Sequence, residues 1–212
     1  MSNRIAFFGD AEDLIETFDL KKPGEAIFDA HYNISRGHHI PVITKDDDNF
    51  SISRLRWGKD FEKNAKVPEK ADSDSIERLE AESAGRVVIP MSGFYIWKDE
   101  ANKDHPFFVR KIDNTLLYGA AYIFQDGKKK FTYAELIMGD SNTLIQPIAE
   151  TMPVILKHEL AKDWMRNKIE AKDILKAAES QFIITELTVH RVTKKVKDLS
   201  KNDAALIQPI PK

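Results

Sequence analysis

Apolar residues fall along this chain in two textures. From Arg86 to Met138 they come in dense β-branched and aromatic runs: Val87-Val88-Ile89-Pro90, Gly93 to Trp97, Pro106 to Lys111, Thr115 to Phe124 and Lys130 to Met138. Gly, Asp and Asn punctuate them, which predicts a succession of strands. Gln125-Asp126-Gly127 predicts a hairpin turn, since Asp-Gly supplies the positive φ angles that tight hairpins need. Before Arg86 the pattern is sparser. Asn3 to Phe8, His31 to Ile34 and Ile40 to Thr44 read as short strands, and Phe50 to Trp57 alternates as a strand with one wet face. Leu14, Ile15 and Phe18 share the inner side of a helix that Asp10 would cap. Ile76 and Leu79 do the same for a helix over Ser75 to Ala84, capped by Asp74, after the polar stretch Gly58 to Asp74.

Beyond Met138 helical spacing returns. Asp140 or Ser141 would cap a helix over Asn142 to Ile148, and Glu159 to Met165 and Glu170 to Ala178 read as helices. Met152 to Leu156 and Ile183 to Val192 read as strands, and Ala205 to Ile210 as an extended tail. No repeat is visible. Strands, then helix, then a long run of strands give an α+β fold, not alternating α/β.

Composition narrows the chemistry. With 212 residues, 42% hydrophobic and 31% charged, the chain can bury a core without disulfides or metal. It has no cysteine, which excludes disulfide frameworks, zinc–thiolate sites and thiol nucleophiles and fits a reducing compartment. Lys and Arg number 32 against 34 Asp and Glu, for a net charge of −2. That excludes a globally basic nucleic-acid binder but not a local basic groove. No apolar run approaches the ~20 residues of a membrane span. The N-terminal residues lack a signal-peptide layout, so a cytoplasmic protein with no membrane partner is expected.

Candidate sites are few. His31, His38 and His39 lie near the acidic run Asp46 to Asp48. Adjacent histidines in a strand point to opposite faces, so no metal is expected there. His158, Glu159 and Asp163 fall at a helix start, where surface positions are usual, and Lys128 to Lys130 fall in a hairpin. Arg191, Lys194, Lys195, Lys197 and Lys201 form a candidate phosphate-contact cluster. There is no GxSxG, P-loop or GxGxxG motif.

An ordered set of motifs spans nearly the whole chain. It comprises Met1-Ser2-Asn3-Arg4, Tyr32-Asn33-Ile34, Pro41-Val42-Ile43, Leu55-Arg56-Trp57-Gly58 and Asn64-Ala65-Lys66 with Glu69. Then come Arg86 through Trp97, Met152-Pro153-Val154-Ile155-Leu156, and Ala205 to Ile210. This set resembles the SRAP family, the SOS-response-associated peptidases or abasic-site processing proteins. The resemblance implies one SRAP-like domain over residues 1–212, with a barrel-like antiparallel β core and peripheral helices. It also implies binding of single-stranded DNA and covalent capture of abasic sites. In the family the initiator Met is removed, and the exposed cysteine and its α-amine close a thiazolidine on the sugar aldehyde. An Asn, a Glu and a His assist, and no cofactor is implied.

Here Ser2 stands at the nucleophile position, Ile96 at the Glu, Ala149 at the His and Thr151 at a basic residue, while Asn64 is kept. A hydroxyl is a far poorer nucleophile than a thiolate, and neither Ile nor Ala transfers a proton. The expectation is a DNA-damage protein that binds single-stranded or abasic DNA without a stable cross-link. Ser2 and Asn64 would form the remnant catalytic pair, with Ile96 and Ala149 close by. Trp57 would stack on a base, and Arg4, Lys66 and Arg86 would meet phosphates. Two alternatives are an imine formed through the Ser2 α-amine, and a protein-interaction module that binds no nucleic acid.

Overall fold

The computed structural model describes residues 4–9, 11–20, 29–47, 49–59, 70–127, 131–181 and 186–210. The β texture resolves into two large sheets. The first contains β1 (Arg4–Phe7), β2 (His31–Ser35), β6 (Gly93–Glu100), β7 (Lys103–Lys111) and β13 (Leu187–Arg191). Its order is β13-β7-β6-β1-β2, antiparallel throughout, so β2 is an edge.

The second sheet contains β3 (His39–Asp46), β4 (Asn49–Trp57), β5 (Gly85–Met91), β8 (Leu117–Asp126), β9 (Phe131–Leu136) and β12 (Ile155–Leu156). Its order is β12-β8-β5-β3-β4-β9, and β8 pairs with β9 as well, so the pairings close into a ring. The β4–β9 pairing is parallel, with Arg56 opposite Tyr133 and Trp57 opposite Ala134. A small sheet joins β10 (Met138–Asp140) to β11 (Thr151–Pro153). The resulting fold is α+β with a mostly antiparallel core. Val87 to Met91 are buried without alternation because both faces of β5 are covered.

The core has two parts. The larger contains Ile5, Phe7, Ile40, Val87, Phe94, Ile96 and Trp164. The smaller lies against the other face of the first sheet, where Ala6, Tyr95 and Phe108 meet Val192, Val196, Leu206 and Ile207. Gly93 permits this packing, because a Cβ there would sit 2.5 Å from the Val109 carbonyl oxygen and overlap the Phe108 ring.

Four α-helices are present among the described residues: α1 (Ala11–Phe18), α2 (Ser73–Glu82), α3 (His158–Met165) and α4 (Ile174–Gln181). Leu14 and Phe18 are buried as the pattern predicts. Asp10 and residues 128–130 lie outside the described residues.

Four expectations are corrected. Helix α2 starts two residues early, because Asp72 caps it. The Asp72 carboxylate accepts from the Ser75 N–H and the Ser75 hydroxyl accepts from the Asp72 N–H, both at 2.8 Å, leaving Asp74 inside the first turn. Residues 143–148 form turns closed by Asn142, whose Oδ1 accepts from the Leu144 and Ile145 N–H groups; Pro147 has no N–H to extend a helix. Met152 to Leu156 is two strands, because Met152 and Pro153 pair with β10 while Ile155 and Leu156 pair with β8. The tail also begins as a 3₁₀ turn over Ala204–Ile207, capped by Asp203. Among the described residues no helix is long and apolar enough to cross a membrane.

Candidate functional site

The turn from β2 to β3, residues Arg36 to His38, packs against the end of β4. The Gly37 N–H donates to the Trp57 carbonyl at 2.6 Å, and the Trp57 N–H donates to the His38 carbonyl at 2.8 Å. The Gly58 N–H continues into β9, donating to the Ala134 carbonyl at 2.8 Å. The Arg36 guanidinium holds the Glu135 carboxylate bidentately, with Nη2 to Oε2 at 2.7 Å. Gly58 has a φ of +75°, and a Cβ there would approach the Arg36 guanidinium to 2.8 Å. Glycine is therefore needed both for backbone and for space. Burial pushes the Glu135 carboxyl up, and Arg36 opposes that rise.

Arg4 opens β1 between Tyr95 and Ser35. Next to it the β2 edge carries imidazoles. The Asn33 N–H donates to His31 Nδ1 at 3.2 Å, and the Ser35 N–H donates to His38 Nδ1 at 3.3 Å. The two rings lie 5.3 Å apart. Burial lowers the pKa of both, with Arg54 adding to it at His31 and with His31, Arg4 and His39 adding to it at His38. Across the β3–β4 ladder His39 stands opposite Arg56, and Pro41 opposite Arg54. Among the described residues no group of three His, Asp or Glu is placed to hold a metal ion.

Ser2, Asn64 and Lys66 lie outside the described residues, and so does the expected approach of the N-terminus to Asn64. Ile96 is wholly buried in the larger core, on the β6 face opposite to that of Tyr95. Ala149 is 8% exposed in the same core, its N–H bonded to the Ile145 carbonyl at 3.0 Å. Thr151 opens β11.

Two expected nucleic-acid contacts are corrected. Trp57 is only 2% exposed and belongs to the larger core, so neither ring face is presented to a base. Arg86 is enclosed as well, with its side chain 6% exposed. Its Nη1 donates to the Ile169 carbonyl and its Nε to Glu80, each at 2.6 Å, and its guanidinium lies 4.3 Å from the Trp164 ring centroid. Every one of those partners is internal, so Arg86 holds α2 and α3 to β5.

The candidate cluster is split: Arg191 and Lys197 lie at the edge of the first sheet opposite to β2, where Lys197 pairs with Asp104 at 3.1 Å and Arg191 bonds His105, whereas Lys201 lies against β2, its carbonyl accepting from Asn33. His158 is on the surface of α3, 3.3 Å from Glu159.

Five residues that shape this region were missed from sequence. Arg36 and Glu135 are 99 positions apart, and the signal was a lone carboxylate in an otherwise uncharged β9. Asn33 is fully buried and anchors the C-terminal turn, its Nδ2 donating to the Asp198 carbonyl at 2.9 Å and the Lys201 carbonyl at 3.2 Å. Tyr32 and Tyr95 reinforce that dock. The Tyr95 hydroxyl donates to the Tyr32 carbonyl at 2.6 Å, and the Tyr32 N–H donates to Asn202 Oδ1 at 2.7 Å.

The family model described as SOS response associated peptidase (SRAP) matches residues 1–199. The chain belongs to the SRAP family. It is 24% identical to the abasic site processing protein YoaM of Bacillus subtilis, over 98% of this chain and 97% of that protein. It is 26% identical to the abasic site processing protein YedK of Escherichia coli, over 84% of each. Among solved structures, a protein from Bacteroides thetaiotaomicron superposes with a TM-score of 0.74 at 18% identity, covering 98% of this chain and 99% of that one. A phage-related protein from Bordetella bronchiseptica gives 0.63 at 20% identity, covering 91% and 94%. These structures share the fold. SRAP membership places the protein in a DNA-damage context.

Proposed function

We propose that this SRAP protein is one domain that binds single-stranded or abasic DNA in the cytoplasm without forming a stable thiazolidine cross-link. The carrying observation is the absence of any cysteine, with Ser2 at the nucleophile position. A thiazolidine needs a thiol beside the α-amine, and the only sulfur in the chain is thioether. Ile96 and Ala149 support the same reading. Ile96 is wholly buried among apolar residues and Ala149 offers only a methyl, so neither can relay a proton. Asn64 remains to orient the sugar, and Arg4 and Lys66 remain as phosphate contacts.

The test is incubation with an oligonucleotide carrying an abasic site, then heating and a denaturing gel, with and without borohydride. No adduct is expected without reductant. A heat-stable adduct from the unmodified protein would overturn the reading. A borohydride-dependent adduct would favour an imine, in which an α-amine and the sugar aldehyde condense with loss of water. Ser2→Cys should restore some stable product, slowly, because acid–base assistance worth ~10²–10⁴ in rate is still missing.

A further inference from the structure

We infer that His31 and Arg54 form a subsite for a backbone phosphate of a single DNA strand, which rests on the DNA-binding reading above. Among the described residues β2 has no strand beyond it, and the N–H groups of Asn33 and Ser35 are received by imidazole Nδ1 atoms instead. A neutral imidazole whose Nδ1 accepts must carry its proton on Nε2. His31 is thereby fixed as a hydrogen-bond donor on its remaining nitrogen, with no lone pair left for a metal. Protonating the ring would break the bond from Asn33, so the donor stays neutral near pH 7.

The surroundings select an anion. The His38 ring lies 5.3 Å from His31, and β3 runs on from His39 to Pro41, which stands opposite Arg54. The cationic side chains acting on the two imidazoles are Arg54 at His31 and Arg4 at His38, and among the described residues no acidic group acts on either. Arg54 is exposed and has no ion pair among the described residues. A half-buried donor beside a solvated guanidinium suits a ligand that only accepts and carries negative charge. A phosphodiester oxygen meets both conditions. Arg4, half-buried at the start of the neighbouring β1, adds positive potential without needing to touch the ligand.

The two residues make separable predictions, because one is neutral and the other charged. Binding of a fluorescent single-stranded oligonucleotide at neutral pH is followed by anisotropy across a salt series. Arg54→Ala should weaken binding and reduce the log–log salt slope by about 0.7, the loss of one released counterion. His31→Asn keeps an acceptor near the Nδ1 position but removes the outward donor. It should weaken binding several-fold with an unchanged slope and an unchanged melting temperature. His31→Gln keeps a donor near the Nε2 position, so it should retain more binding while melting lower. Wild-type binding that both His31→Asn and Arg54→Ala retain in full would overturn this inference alone. No wild-type binding at low salt would overturn the DNA reading together with it. Inorganic phosphate perturbing the His31 imidazole resonances as strongly as the oligonucleotide, at equal phosphate concentration, would overturn the assignment to a strand.

Discussion

Arg36→Met would test how the candidate site is held. The wild-type ion pair is bidentate, and its side chains are only 11% and 15% exposed. Removing Arg36 leaves Glu135 enclosed without its partner. Breaking a buried pair from one side costs about 3–5 kcal/mol, because a charge is stranded. With Glu135 keeping some access to water, the lower end, about 3 kcal/mol, is expected. For a chain of this length that is a fall of roughly 6–12 °C in melting temperature.

The Arg36–Glu135 pair also sets a pH dependence. Burial raises the Glu135 carboxyl, and Arg36 is the group that pulls it back. Without Arg36 the folded state keeps the proton to a higher pH than the unfolded chain does. Stability is then greatest below the ordinary carboxyl range and falls as pH rises through the raised folded value. Thermal melts followed by circular dichroism, at about pH 5 and about pH 8, should show the larger loss at the higher pH. Replacing both partners, Arg36→Met with Glu135→Leu, should recover all but ~1 kcal/mol. A loss under ~1 kcal/mol in Arg36→Met, or an equal loss at both pH values, would refute the stranded-charge argument.

Other substitutions probe the supports. Arg86→Ala should lower the melting temperature while leaving the salt slope of DNA binding unchanged, since its partners Glu80, Ile169 and Trp164 are internal; anisotropy and thermal melts together check this. Asn33→Ala should cost about 1–3 kcal/mol by removing the two bonds that hold the C-terminal turn to β2, and hydrogen exchange should speed over residues 198–207 before it does in β5. Asp72→Ala should cost about 1 kcal/mol through the lost cap of α2, read from a denaturant midpoint.

The strands between Arg86 and Met138 were legible because burial on both faces demands long apolar runs, and only β5 and β8 style neighbours produce them. Local chemistry was less so. Asp72 and Asp74 are equal as caps in sequence, and only the reciprocal bond from Ser75 decides between them. Apolar spacing over residues 142–148 imitates a helix, but Pro147 supplies no donor. Trp57 and Arg86 illustrate a deeper limit. Aromatic and cationic residues look alike in sequence whether they face a nucleic acid or one another. Arg86 is committed by Trp164, a ring that only tertiary folding brings to it. The histidines were visible as a group, yet their role depends on edge N–H groups that no residue pattern displays.

The dock of the C-terminal turns onto β2 has a consequence for timing. Asn33 and Tyr32 take partners 165 to 170 positions further along the chain. β1 is similarly flanked by β6, far downstream, as well as by β2. A chain emerging from the ribosome can build the β3–β4 hairpin at once, but the strand bearing His31 has to wait for nearly the whole protein to be synthesised. Pairing between distant segments forms more slowly than local pairing. The anion-facing edge is thus among the last surfaces to acquire its final shape, and a nascent chain would carry its basic N-terminal strands unfinished until then.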